Sequence, residues 1–291
     1  MKYILLLVLF LFTGYATALE KIYFNSAESS KDVRFDYDLE LLKLALEKTK
    51  DEFGDYVLLM APPMNSARAQ HYLEKNEFKN FITKQSYSDD ILNRNIAFAD
   101  FPIDLGIVGY RICFVNKSKR SDFAQVKLFE DLKPFIHGQG IGWLDVKILR
   151  NSDLKVMESV VYESLFKLVI KGRVDLFCRG ANELFHEYDS RSHEEGLVYD
   201  EKVLLHYPQP KFFMSNIESV KLINRIEKGL LAAFEDGSLI KLWKEKYGSS
   251  ITRAKLNSRV VIELENPFVT YKGLNYLKYI SEFEQDIFRV F

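Results

Sequence analysis

Between Gly138 and Gly180 the chain reads GQGIGWLDVKILRN and then, after a short connection, VVYESLFKLVIKGRVDLFCRG. These residues have the chemistry to hold a small charged molecule. Gly138-Gln139-Gly140-Ile141-Gly142 is a turn after an extended run, and Trp143 and Asp145 follow at the start of a helix. Such a turn bares backbone N–H groups at the positive end of the helix dipole, where an anionic head such as a carboxylate is favoured. Trp143 offers a face to stack on a ligand, with packing beneath the helix as its other role. Asp145 offers a helix cap or a contact to a ligand amine. Arg111 and Arg179 stand at a crossing and a strand end, and the planar fork of Arg grips a carboxylate through two parallel hydrogen bonds. Ion pairing with Asp104 or Glu183 is the competing role for each.

Further candidates lie earlier in the chain. Arg68 follows the Asn65-Ser66 helix cap, and Asp32, Arg34 and Tyr37 lie in the loop after the first strand. One of Arg34 and Arg68 is expected to touch ligand and the other to brace the loop. Tyr110 and Tyr162 are candidate aromatic walls, with core packing as the alternative. The GxGxG turn lacks GxGxxG spacing and stands outside the first βαβ unit, so a dinucleotide cofactor is not expected. The five histidines (71, 137, 186, 193 and 206) show no HxxxH spacing and there is no CxxC, so no metal site is expected. GxSxG and HExxH are absent as well. Asp89-Asp90 reads as a solvated cap in a polar turn, and Asp189 to Glu195 as a solvated charged loop.

Positioning these residues requires alternating strands and helices. Strands are predicted at Glu20–Asn25, Tyr56–Ala61, Phe78–Thr83 and Ile96–Ile103, with an amphipathic helix over Tyr37–Lys50 and a capped one from Asn65-Ser66 to about Lys75. Gly106 and Gly109 bracket a crossing, and Arg111–Asn116 opens a second series. That series has strands at 134–138, 154–158 and 174–178 and helices from about 143, at 161–171 and at 181–188. Pro208 and Pro210 mark the return, before an extended run at Phe212–Ser215, a helix at 217–235, an Asp236-Gly237 stop and a helix to about Tyr247. Arg259–Glu263 reads as a strand and Tyr276–Phe288 as an amphipathic helix packed on the first lobe. The expected architecture is α/β with two lobes, a ligand cleft between them and two crossing strands. Residues 19–107 plus 210–291 are assigned to lobe 1 and 108–209 to lobe 2.

The first residues bear on compartment. Lys2, the apolar run Tyr3–Phe12 and the small residues Ala16-Thr17-Ala18 read as a secretory signal cleaved after Ala18. The run is shorter than the roughly 18 apolar residues of a membrane anchor. Cleavage leaves 273 of the 291 residues, with 39 basic against 41 acidic side chains. That balance offers no basic face for nucleic acid. Cys113 and Cys178 each sit in an apolar strand-like run, and an exported protein permits them to pair. Pairing needs a strand order that brings their Cα atoms within about 7 Å. Free buried thiols are the favoured expectation.

The order of signal, βα lobe, GxxGYR crossing, second lobe and YPxPxFFxS return resembles the type II periplasmic solute-binding proteins. More narrowly, it resembles their amino-acid-binding-like, transporter substrate-binding branch. The segments that carry it are DVRFDYDLELLKLALEKT, MNSARAQHYLE, GIVGYRICFVN, LKPFIHGQGIGWLDVKIL, YESLFKLVIKGRVDLFCRG and YPQPKFFMSN, with IEKGLLAAFEDGSLIKLWKEKYG as the closing helix pair. Cys178 stands where that branch is expected to carry Pro. The resemblance implies a periplasmic-binding-protein-like II fold that captures a small polar or anionic solute for a membrane transporter permease or sensor receptor. It implies no cofactor, and a clamp that must open and close is expected to be a monomer. The ligand set expected from residues and resemblance together is Arg34, Arg68, Tyr110, Arg111, Gln139, Trp143, Asp145 and Arg179. Periplasmic cyclohexadienyl dehydratases resemble the same proteins, and an enzyme of that kind needs a cleft carboxylate acting as general acid, for which Asp145 and Asp175 are the candidates. A clamp that has lost its ligand and serves as an interaction module is the third reading.

Overall fold

Alternating apolar runs pair into two separate sheets in the computed structural model, which describes residues 19–280. The expected signal segment and the end of the helix expected at 276–288 lie outside the described residues. The first region contributes β1 (Glu20–Phe24), α1 (Asp36–Lys48), α2 (Lys50–Phe53), β2 (Tyr56–Met60), α3 (Ser66–Lys75), β3 (Phe81–Ser86) and β4 (Ile96–Phe98). The second contributes β5 (Tyr110–Val115), α4 (Arg120–Phe123), β6 (Ile136–Gly140), α5 (Leu144–Asn151), β7 (Lys155–Ser159), α6 (Tyr162–Ile170), β8 (Leu176–Gly180), α7 (Leu184–Asp189), β9 (Val198–Tyr199) and β10 (Val203–His206). The remainder holds β11 (Lys211–Asn216), α8 (Val220–Glu235), α9 (Ser238–Ala254) and β12 (Val260–Glu263).

The first lobe is a five-stranded sheet in the order β2-β1-β3-β11-β4, and the second a seven-stranded sheet in the order β12-β10-β5-β8-β6-β7 with β9 beside β5. In each lobe the parallel strands are joined through helices, β1 to β2 to β3 and β6 to β7 to β8. A parallel pair cannot be closed by a tight turn and needs such a crossover. The later strands β11 and β5 enter antiparallel. This two-sheet arrangement is the one expected from the sequence.

Local chemistry sets the element ends. Leu41, Leu42, Ala45 and Leu46 of α1 are fully buried, each leucine stabilising the lobe by about 1.5–3 kcal/mol. They pack against α8 at Gly229, where an added Cβ would lie 2.0 Å from the Ala45 carbonyl oxygen. The side chain of Asn65 accepts from Arg68 N–H at 3.0 Å and caps α3 as predicted. Gly237, with φ of 79°, ends α8 and opens α9, which runs to Ala254 rather than stopping near Tyr247. β3 begins three residues later than predicted, and β4 ends at Phe98.

Two expectations are corrected. Cys113 and Cys178 are joined in a disulfide, not free thiols. β5 and β8 are neighbours, and their register sets the two cysteines directly opposite. The strand expected at 259–263 forms as β12, but it pairs with β10 in the second lobe's sheet. The assignment of all of 210–291 to lobe 1 therefore fails at this strand. The chain then returns to the first lobe in a third crossing. Asp89 N–H donates to the Phe268 carbonyl at 2.8 Å, the Asp89 carboxylate accepts from Thr270 N–H at 2.8 Å, and Tyr276 is buried among first-lobe side chains. Residues 276–280 are helical, as predicted for the start of that helix.

Candidate functional site

The ends of β1, β3 and β11 in the first lobe face the ends of β6 and β8 in the second, leaving a cavity of about 340 Å³ between them. Its first-lobe wall includes Asn25, Arg34, Ser66, Gln70, Lys84, Gln85, Arg94 and Lys211, and its second-lobe wall Trp143, Asp145, Arg150, Arg179 and Glu183. The lobes touch across its rim. Gln70 Nε2 donates to the Gly142 carbonyl at 3.0 Å, Asn65 Nδ2 to the Val160 carbonyl at 3.2 Å, and Ser29 Oγ to Glu163 at 2.6 Å. Gly142, with φ of 78°, lies so close to α3 that a Cβ there would come 2.7 Å from Ala67 N.

The expected ligand residues divide between cavity wall and supporting structure. Arg179 and Trp143 are both on the wall. The Arg179 guanidinium lies 4.8 Å from the Trp143 ring centroid and donates to Glu187 at 2.8–2.9 Å, with Glu183 3.0 Å away. Trp143 also stacks on Phe177 at 6.1 Å, so packing and wall roles coexist. Arg34 reaches the wall, held to Asp32 at 2.7 Å and to Glu28 at 2.8 Å. Arg68 does not: it is exposed and donates to the Tyr72 hydroxyl at 2.7 Å, away from the cavity.

Arg111 and Asp145 form a buried pair at 2.8 Å, with Arg111 only 1 % exposed. Arg111 also donates to Gln209 and lies outside the cavity wall. It braces Asp145 from behind the cavity wall, because the crossing folds it under the cleft instead of into it. Asp145 further accepts from the Tyr207 hydroxyl at 2.7 Å and Gln209 Nε2 at 2.8 Å. Burial pushes its pKa up, but Arg111, Gln209, Lys211 and Tyr207 outweigh burial and hold it below the ordinary carboxylate value. An acid kept ionised in this way is a poor general acid. Asp175 accepts from Ile136 N–H at 2.8 Å and immediately precedes β8. Tyr110 is buried at the crossing with its ring stacked on His206 at 4.3 Å. Gln139 is fully buried, off the cavity, and neither atom of its side-chain amide has a partner among the described residues. Strand alternation turns it into the core beside His137, away from the cleft.

Sequence reasoning missed Lys84 and Lys211. Antiparallel pairing sets Lys211 opposite Ser86 and Phe213 opposite Lys84, bringing both lysines to the cavity floor. Lys84 Nζ binds Asp38 at 2.6 Å. Lys211 Nζ approaches Glu183 at 3.5 Å. Burial pushes the Lys211 ammonium below its ordinary pKa, and Lys84 and Arg111 add to that against the opposing pull of Glu183. The same burial pushes buried Asp104, close by, up to about 6. The signal was available: FITKQS and KFFMSN are strand-like runs that each carry one lysine.

Comparison with known proteins bears on fold. No family model matches the sequence, and no curated protein matches it. Solved structures do match. An ancestral arginine-binding protein bound to glutamine is 15% identical, with a TM-score of 0.61 over 80% of this chain and 100% of that one. A Salmonella typhimurium periplasmic binding protein with high arginine specificity is 11% identical, with a TM-score of 0.59 over 78% of this chain and 99% of that one. An ancestral amino acid-binding protein, a precursor of cyclohexadienyl dehydratase, is 16% identical, with a TM-score of 0.58 over 78% of this chain and 95% of that one. Two mixed sheets facing each other across a cavity, matched over most of the chain, make this a protein of the type II periplasmic-binding-protein fold.

Proposed function

We propose that the protein is an exported solute-binding clamp. It captures a small polar or anionic, amino-acid-like solute between its lobes, and a membrane transporter or sensor receptor reads the closed form. The observation that carries this reading is the cavity of about 340 Å³, walled by both lobes and bridged by Gln70 and Gly142. Its volume falls at the lower end of small-molecule sites, about 300–1,000 Å³. A ligand that meets both walls favours the closed form over the open one, which is how binding becomes a signal. The arginine and glutamine complexes of similar structures support an amino-acid-like ligand. The apolar run and small residues before Leu19 support export, and a cavity built from both lobes of one chain supports a monomer. A dehydratase-like role is less favoured, because Asp145 is held ionised and Asp175 caps a strand.

The chain from Leu19 onward, screened by thermal shift against amino acids, small carboxylates and peptides, should be stabilised by at least one of them. Saturation at a hundredfold over Kd corresponds to about 2.7 kcal/mol. Stabilisation by nothing in the panel would leave the interaction-module reading in its place. Turnover of a cyclohexadienyl acid would favour the enzyme.

A further inference from the structure

We infer that the cavity selects, at the position beside Lys211, a carboxylate over the amide of the same shape, and that Lys211 is the residue that makes this selection; this rests on the solute-clamp reading. Four of the five acids on the wall hold a cation at 3.0 Å or less. Glu28 binds Arg34 at 2.8 Å, Asp145 binds Arg111 at 2.8 Å, Glu158 binds Arg150 at 2.8 Å and Glu183 binds Arg179 at 3.0 Å. Asp90 accepts from Ser88 and faces Arg94 at 3.6 Å and Lys147 at 3.8 Å. A guanidinium or ammonium entering this cavity finds, among these acids, only the half-exposed Asp90 without a cation inside hydrogen-bonding distance, and meets Lys84 and Lys211 on the wall.

Among the cations, one buried member lacks so close a partner. Arg34, Lys84, Arg94, Arg150 and Arg179 each lie within hydrogen-bonding reach of a carboxylate. Among the described residues, Lys147 and Lys211 are the wall cations that do not, at 3.8 Å and 3.5 Å. Lys147 has a side chain 55% exposed and is solvated at the rim, whereas the Lys211 side chain is only 12% exposed. An ammonium has three donors, and burying it without a close acceptor is costly. The acid that Lys211 approaches is already shared, since Glu183 also accepts from Gly180 N–H at 3.1 Å and pairs with Arg179 and Arg111. A ligand carboxylate next to Lys211 supplies the missing acceptor, and an amide of the same shape supplies one without the charge.

Acid and amide pairs of equal shape test this. Isothermal titration of the chain from Leu19 onward is run with L-glutamate against L-glutamine and succinate against succinamate, with L-arginine and L-lysine alongside. The acid of a pair should bind at least tenfold tighter than its amide, and arginine and lysine should bind more weakly than either. Lys211→Met should bring the acid-to-amide ratio to within about threefold while amide binding persists, and Lys211→Arg should keep the preference. An unchanged ratio in Lys211→Met, or tighter binding of the amides or of arginine, overturns the assignment and leaves the clamp standing. If none of these solutes and none of the screened panel binds, the clamp reading falls and takes this assignment with it.

Discussion

The guanidinium of Arg34, carried by the first lobe, lies 3.7 Å from the ring centroid of Tyr162 in the second. Arg34 is locked by Asp32 and Glu28 on its own lobe, so the contact docks the whole loop after β1 onto α6. Burial opposes the Arg34 charge, but Asp32, Tyr162 and Glu28 outweigh burial and keep the guanidinium protonated. Ser29 joins the same loop to Glu163. The two lobes are thus held together partly by their own side chains.

Loss of that contact should loosen closure. A desolvated cation–π pair contributes about 2 kcal/mol. A double-mutant cycle of Arg34→Met with Tyr162→Leu, read by urea unfolding, should give a coupling of about 2 kcal/mol. Small-angle scattering of Arg34→Met should show a larger radius of gyration. Strict additivity together with an unchanged radius would argue against the latch.

Gly142→Ala should hold the lobes apart. The new methyl meets Ala67 N at 2.7 Å and must adopt a positive φ, a conformation that costs a non-glycine residue about 1–2 kcal/mol. The variant should fold with a similar circular dichroism spectrum yet fail to contract on adding a ligand that contracts the wild type. Normal contraction would mean that the loop moves aside.

Arg111→Ala should act on stability before it acts on binding. It strands the Asp145 carboxylate in the core, and breaking one side of a buried pair costs about 3–5 kcal/mol. Urea titration should show that loss, and Arg111→Met paired with Asp145→Leu should recover part of it. Weakened ligand binding at wild-type stability would return Arg111 to the ligand set.

Acid sensitivity should trace partly to His137. It is fully buried, neither ring nitrogen has a partner among the described residues, and burial pushes its pKa down to about 4. Between the unfolded value near 6.5 and about 4, the unfolded chain takes up a proton that the native state refuses, so stability falls as pH falls through that window. The full effect approaches about 3 kcal/mol. His137→Leu, compared with wild type at pH 7 and pH 4, should flatten the acid branch by about that amount. Parallel curves would place the sensitivity elsewhere.

Much of the architecture was legible because its causes are local. The Asn65 cap and the Gly237 stop act within a few residues, and the period of Leu41, Leu42, Ala45 and Leu46 marks one buried helix face. The cleft's place between two βα series followed from their order, and Arg34, Trp143, Asp145 and Arg179 do meet there. Other assignments missed because they depend on partners distant in the chain. Arg111 and Arg68 have the same side chain and both stand near element ends, yet one is sealed under the cleft and the other lies in solvent.

The sequence by itself determined the alternation of strand and helix, the two series, and the crossings near Gly106 and Pro208, since turn chemistry and hydrophobic period operate over a few residues. Only the tertiary structure decided that β5 lies beside β8, bonding Cys113 to Cys178, and that β12 joins the second lobe. It also decided which cations find acids. Ion pairing inside a protein depends on burial and on distances of a few ångströms, and strand order sets those between residues as far apart as Glu183 and Lys211.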